Sequence, residues 1–79
     1  MNKLVSSFSK GRQEEIRVQI KELKGQDIVD IRVYASMTDG EEKVATGKGF
    51  SMNPSQFSDF KKAVLETETI LKEHRLIHE

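Results

Sequence analysis

The segment IRVQIKEL, residues 16–23, alternates without a break: Ile16, Val18 and Ile20 fall to one side, Arg17, Gln19 and Lys21 to the other. A period of two is the repeat of a β-strand with one covered face, and no helix satisfies it. Lys24-Gly25-Gln26-Asp27 supplies a turn. The alternation then resumes over Ile28–Tyr34, with Val29, Ile31 and Val33 opposite Asp30, Arg32 and Tyr34. Ile28 falls on the polar side, so the entry to this strand is expected to be partly exposed or kinked. Two adjacent strands of this kind commit the chain to a sheet that is apolar on one face and polar on the other.

Further along, Thr38-Asp39-Gly40-Glu41 carries the Asp-Gly signal of a hairpin turn. A weakly patterned third strand is expected near 42–46, and a fourth over 48–52 with Phe50 and Met52 as its apolar residues. Gly47 and Gly49 flank Lys48, the mark of a bulge, a bend or a close backbone approach. Asn53 then fits a helix N-cap, Pro54 the first helical position, and Gln56 the third residue of a capping box. Met52 and Phe57 are spaced as a hydrophobic staple. Phe57, Phe60, Val64, Leu65, Leu71 and Leu76 recur near helical spacing, predicting one helix from Pro54 to about Leu76, roughly 35 Å long. One small sheet cannot cover a helix of that length, so its apolar side calls for a partner or a kink. The expected class is α+β: a four-stranded antiparallel sheet followed by one long C-terminal helix.

Residues 1–11, with three serines and a lone Phe8, read as a flexible N-terminal arm, and 12–79 as a single domain. A chain of 79 residues buries only about 60 % of its unfolded surface, which makes dimerisation an expected route to stability. With no cysteine, disulfides, thiol catalysis and thiolate metal sites are excluded. No apolar run approaches the ~20 residues that span a bilayer, and Met1–Lys10 lacks a signal-peptide core, so a cytosolic-type chain is expected. Thirteen basic and thirteen acidic residues cancel, and no global basic field announces a nucleic acid. The distribution is uneven, however. Residues 1–24 hold six basic against three acidic residues, and residues 25–79 seven against ten.

No catalytic constellation stands out, and no enzyme is expected. His74 and His78 lie four residues apart beside Glu73 and Glu79, but a third ligand at a defined spacing is lacking, so they read as the last turn of a helix rather than a metal site. Gly47-Lys48-Gly49 lacks the rest of a phosphate-binding loop. No cofactor or small-molecule substrate is expected. The basic residues on the strands and turns, namely Arg17, Lys21, Lys24, Arg32, Lys43 and Lys48, are either a solvated face or a surface for phosphates.

Two blocks, LKGQDIVDIRVY (23–34) and GKGFSMNPSQF (47–57), tip this balance. In order and spacing they resemble the single-stranded-DNA-binding domain of the positive cofactor four family, small transcriptional coactivators with a Whirly-like fold. The resemblance covers about fifty residues, roughly 16–65. It implies a curved sheet, a homodimer paired through the helices, and channels for single strands lined by basic and aromatic residues. At matching positions it implies Lys24, Arg32, Lys43 and Lys48 as nucleic-acid-binding residues, with Arg12, Arg17, Lys21 and Tyr34 as further candidates. The helix residues Phe60, Val64 and Leu71 are expected in the dimer interface.

The chain also departs from the pattern. Ala35 stands where animal members carry tryptophan, Leu23 replaces an aromatic residue, Gln26 a lysine and Gly47 an arginine. Stacking platforms are worth ~1–3 kcal/mol per base, so losing one or two of them is expected to weaken binding or to shift stacking to Tyr34 or Phe8. The resemblance implies single-stranded DNA as partner, alongside transcription or replication proteins. The location implied is the cytoplasm in association with DNA, or the nucleus in a eukaryote. The alternative is a protein-interaction module or duplex-binding regulator that recruits a polymerase or replication factor.

Overall fold

The computed structural model describes residues 1–78, so Glu79 and any role for it beside His78 lie outside the described residues. Four antiparallel strands, β1 (Lys3–Ser9), β2 (Glu14–Leu23), β3 (Gln26–Ala35) and β4 (Val44–Met52), lie side by side in chain order. A 3-10 turn, Pro54–Gln56, leads into the helix α1 (Phe57–Glu73). Class, strand number and the terminal helix are those the sequence predicts.

The identity of the strands is not. The segment expected as a flexible arm forms β1, paired with β2 from Lys3 opposite Ile20 to Ser9 opposite Glu15. Its register slips between Leu4 and Ser6, so Leu4, Val5 and Phe8 never show a clean period of two, and the pattern hides the strand. The two short strands expected over 42–46 and 48–52 are one strand, β4, interrupted opposite β3 between Arg32 and Tyr34.

The turns follow from backbone chemistry. Leu23 pairs with Gln26, leaving a two-residue turn in which Lys24 (φ 52°) and Gly25 (φ 80°) are both left-handed. That is the type I′ geometry whose twist matches the flanking strands. In the β3–β4 connection the Glu41 carboxylate accepts the backbone N–H groups of Met37 and Thr38, each at 3.0 Å. In the β4 irregularity Thr46 Oγ1 donates to the Val33 carbonyl at 2.7 Å and accepts the Lys48 N–H at 3.1 Å.

Gly49 then passes directly against β3. Its φ is +148°, and a Cβ there would lie 2.4 Å from the Ile31 carbonyl oxygen and 2.7 Å from Arg32 Cα. Both obstacles are backbone and cannot rotate away. Gly49→Ala is expected to lower stability by about 1–3 kcal/mol, read as a lower urea midpoint. The same change at Gly47, where the added Cβ meets nothing within 4 Å, is expected to do far less. Equal midpoints for the two variants would refute the close approach.

At the helix start Gln56 Oε1 accepts the Asn53 N–H at 3.1 Å, and the Gln56 N–H donates to the Asn53 carbonyl at 2.9 Å, so the helix begins where the capping pattern places it. Its end falls earlier than expected. Arg75 is left-handed (φ 57°). The Arg75 N–H closes on Lys72 O at 3.1 Å and the Leu76 N–H on Leu71 O at 2.8 Å. This two-bond closure usually employs glycine at the left-handed position. With arginine there, nothing in the sequence marks the stop.

Paired residues share a face, so the sheet is two-sided. Val18, Ile31 and Phe50 align across β2, β3 and β4, as do Ile20, Val29 and Met52. The helix meets this apolar face at its first turns: Phe60 stands edge-on to Phe50 with ring centres 5.6 Å apart, and 6.3 Å from Phe57. Beyond that it projects from the sheet, and Phe60 and Leu71 are its only residues that are even half-buried. Among the described residues just two are buried, Val33 and Asp30. The chain exposes 6263 Å², against about 4,850 Å² for a compact monomer of this mass. Its radius of gyration is 14.8 Å, against roughly 11.6 Å for a compact chain of this length. A single copy is a frame without a closed core.

Candidate nucleic-acid interface

Every second residue of β2 and β3 faces away from α1. In register, Glu15 lies opposite Tyr34, Arg17 opposite Arg32, Gln19 opposite Asp30 and Lys21 opposite Ile28. Four expected site residues, Arg17, Lys21, Arg32 and Tyr34, are therefore neighbours on one polar surface.

They are also interlocked. The Arg17 guanidinium lies over the Tyr34 ring, 4.1 Å from its centre, and is held by Glu15. Gln19 Nε2 donates to the Tyr34 hydroxyl at 2.8 Å and Lys21 Nζ at 3.4 Å. The Gln19 hydrogen bond and the nearby Lys21 and Arg17 charges hold the phenol below its ordinary pKa, against the opposing effect of burial. With two donors already on its oxygen, the hydroxyl keeps its own proton to give outward. Tyr34 is thus no bare platform. One side of the ring is roofed by Arg17, and the flat surface offered beside it is a guanidinium plane, itself able to stack on a base.

The centre of the surface is a carboxylate that the sequence reading did not select. Asp30 is 3 % exposed. It accepts Arg32 Nη2 at 3.0 Å, Arg32 Nε at 3.2 Å and Ser51 Oγ at 2.7 Å, with Lys21 Nζ 3.6 Å away. Arg32 spends a further donor on the Thr46 carbonyl at 3.1 Å. Burial pushes the Asp30 carboxyl up, but the hydrogen bonds from Arg32 and Ser51, with the Arg32 and Lys21 charges, outweigh it and leave the pKa below the ordinary value. Arg32 is in turn held further toward its charged form, chiefly by its bond to Asp30. The alternation that puts Asp30 on the face of Arg32 and Tyr34 was the available signal.

A group whose pKa is depressed on folding contributes stability at pH values above its unfolded pKa, and that contribution is lost as pH falls through the folded value. Asp30 is therefore expected to make the fold acid-sensitive below about pH 5. Melting temperatures measured from neutral pH downward should fall more steeply for the parent than for Asp30→Asn, which starts lower. Parallel curves would mean that Asp30 is not an ionised, paired carboxylate.

The remaining cations lie at the ends of the sheet. Lys24 caps the β2–β3 turn, exposed and, among the described residues, without a carboxylate within 4 Å. At the opposite end, about 30 Å away by strand length, Lys43 borders a recess formed with Phe8, Ser9, Arg12, Glu14 and Glu15. Lys48, in the β4 irregularity, lies 3.7 Å from Glu14, and Arg12 lies 3.5 Å from Asp39. Phe8 pairs opposite Ile16 and so lies on the apolar face, where it cannot substitute for a platform beside Tyr34. Among the described residues no group of three or more acidic or histidine side chains is placed to hold a metal ion.

The model of the family described as transcriptional coactivator p15 (PC4) matches residues 10–63. This chain belongs to that family. Two crystal forms of a PC4 homologue from Burkholderia pseudomallei superpose with a TM-score of 0.76 at 24 % identity. They cover 85 % and 86 % of this chain and 89 % and 98 % of theirs. A bacteriophage T5 homologue of PC4, implicated in recombination-dependent DNA replication, superposes with a TM-score of 0.57 at 20 % identity, covering 99 % of this chain and 83 % of its own. No curated protein matches. The PC4 fold thus accounts for the sheet and the helix start, while residues 64–79 lie beyond the matched stretch.

Proposed function

We propose that this protein is a non-enzymatic, DNA-associated PC4-type protein that binds single-stranded DNA with little sequence preference. It acts as a homodimer paired through α1, in transcription, replication, recombination or repair. The observation that carries the reading is the polar sheet face. It presents the Arg17–Tyr34 stack, the fixed guanidinium of Arg32 and the hydroxyl of Tyr34 on one surface, with lysines at both ends of the sheet. Cations at the ends neutralise phosphates and release counterions. The planar groups between them suit unstacked bases, which a duplex does not offer. Among the described residues no helix is long and apolar enough to cross a membrane.

Exposed area supports the dimer. An excess of roughly 1,400 Å² per chain, buried on pairing, gives a total in the range of obligate homodimers. The exposed apolar side of α1, with Phe60, Val64 and Leu71, supplies the contact.

Fluorescence anisotropy with a labelled oligo-dT and a blunt duplex of equal length, each at two salt concentrations, tests the function. Tighter, salt-sensitive binding of the single strand is expected. Equal or tighter duplex binding would favour a duplex-binding regulator, and no salt-sensitive binding to either would favour a protein-interaction module.

A further inference from the structure

The first turns of α1 leave a groove on the apolar sheet face. It has a volume of about 370 Å³ and is walled by Val5, Val18, Ile20, Val29, Pro54 and Phe57. At the other end of the molecule the chain leaves α1 through the left-handed Arg75 and presents two aliphatic side chains, Leu76 and Ile77, 69 % and 37 % exposed. These two apolar features cannot meet within one chain. The seventeen residues of α1 hold them apart by about 25 Å.

They meet between two copies. A symmetric pair lets each helix cover the sheet of the other only if the helices run antiparallel, an arrangement that also sets opposite dipole ends together. The proposed register sets the apolar residues Phe60 and Leu71, one toward each end of α1, against each other across the pair. If Phe60 of one copy faces Leu71 of the second, residues across the pair sum to a constant, so Val64 faces Thr67, Phe57 faces His74 and Pro54 faces Ile77. The last pairing lays the segment after Arg75 on the mouth of the groove. We propose that each chain seats Leu76 and Ile77 in the Val5–Val29–Phe57 groove of its partner copy, a reciprocal clasp at both ends of the helix pair. It rests on the proposed homodimer, but it involves residues outside the matched family stretch. It also gives β1 a role, since Val5 forms one wall. The area that a single copy leaves exposed is what such a clasp would cover.

The chain has no cysteine, so introduced ones report cleanly. Val5→Cys protein is mixed with Ile77→Cys protein and treated with a short bismaleimide, and Val64→Cys with Thr67→Cys serves as the helix pair. Both mixtures are expected to yield a band at twice 9.0 kDa; neither Val5→Cys nor Ile77→Cys protein gives it alone, whereas Val64→Cys protein, its thiols beside the two-fold axis, does. The helix cross-link without the Val5–Ile77 cross-link overturns the clasp and leaves the dimer standing. Absence of both overturns the helix-paired dimer itself, and the tail cross-link alone overturns the register. As a second readout, Ile77→Asp is expected to weaken dimerisation about tenfold in sedimentation. An unchanged dissociation constant counts against the clasp even where the cross-link forms.

Discussion

Val64→Asp is expected to yield a chain that neither dimerises nor holds its fold at micromolar concentration. Val64 sits midway along α1 and is 48 % exposed in a single copy. In the proposed pair it lies beside the two-fold axis, so one substitution places two carboxylates close together in an apolar contact. Burying an uncompensated charge in such a setting costs about 3–5 kcal/mol. The loss extends beyond affinity, because a copy that buries only Val33 and Asp30 has little to hold it once alone. Folding and pairing are then one equilibrium, and the melting temperature of the parent should rise with protein concentration. Sedimentation and thermal melts at several concentrations decide the matter. A Val64→Asp protein that stays dimeric and melts with the parent would mean that the apolar side of α1 is not the contact.

The second large effect concerns the lysines around the polar face. Replacing Lys24, Lys43 and Lys48 together with alanine is expected to weaken oligo-dT binding about a hundredfold at low salt. Removing three phosphate contacts should also flatten the logarithmic salt dependence by about two. Arg32 is deliberately left out of this set, although the sequence places it among the strongest candidates. Its guanidinium is tied to Asp30 and Thr46, so Arg32→Ala strands a buried carboxylate and confounds a loss of contact with a loss of fold. Lys61→Ala with Lys62→Ala, on the exposed side of α1, removes charge without touching the sheet and should change binding little. If the helix pair costs as much affinity as the sheet lysines, DNA does not cross the sheet and the proposed interface is wrong.

What the sequence made legible depended on whether a residue's role was local. The alternation of β2 and β3, the turn at Lys24-Gly25 and the Asn53–Gln56 helix start are written in neighbouring residues, and each stands where it was expected. β1 was missed because its register break scrambles a two-residue period, and serine-rich composition then imitates an arm. The helix end was missed because Arg75 holds a conformation that glycine would have announced. The polar surface was legible as a face but not as a network. Asp30 looked like one more solvent-facing acid until Ser51, twenty-one residues away, and Arg32 closed on it. Phe8 fits a stacking group by residue type, and only the strand register assigns it to the opposite side.

The register breaks have a further consequence, for solubility. A four-stranded sheet has two outer strands whose unpaired backbone groups invite another sheet to add on, the usual first step toward fibrous aggregates. Here β1 is broken at Val5 and β4 at the Thr46–Lys48 irregularity. Neither rim presents a long, straight ladder for a neighbour to copy. The chain can therefore leave a helix side and a groove bare for a second copy without its sheet polymerising edge to edge.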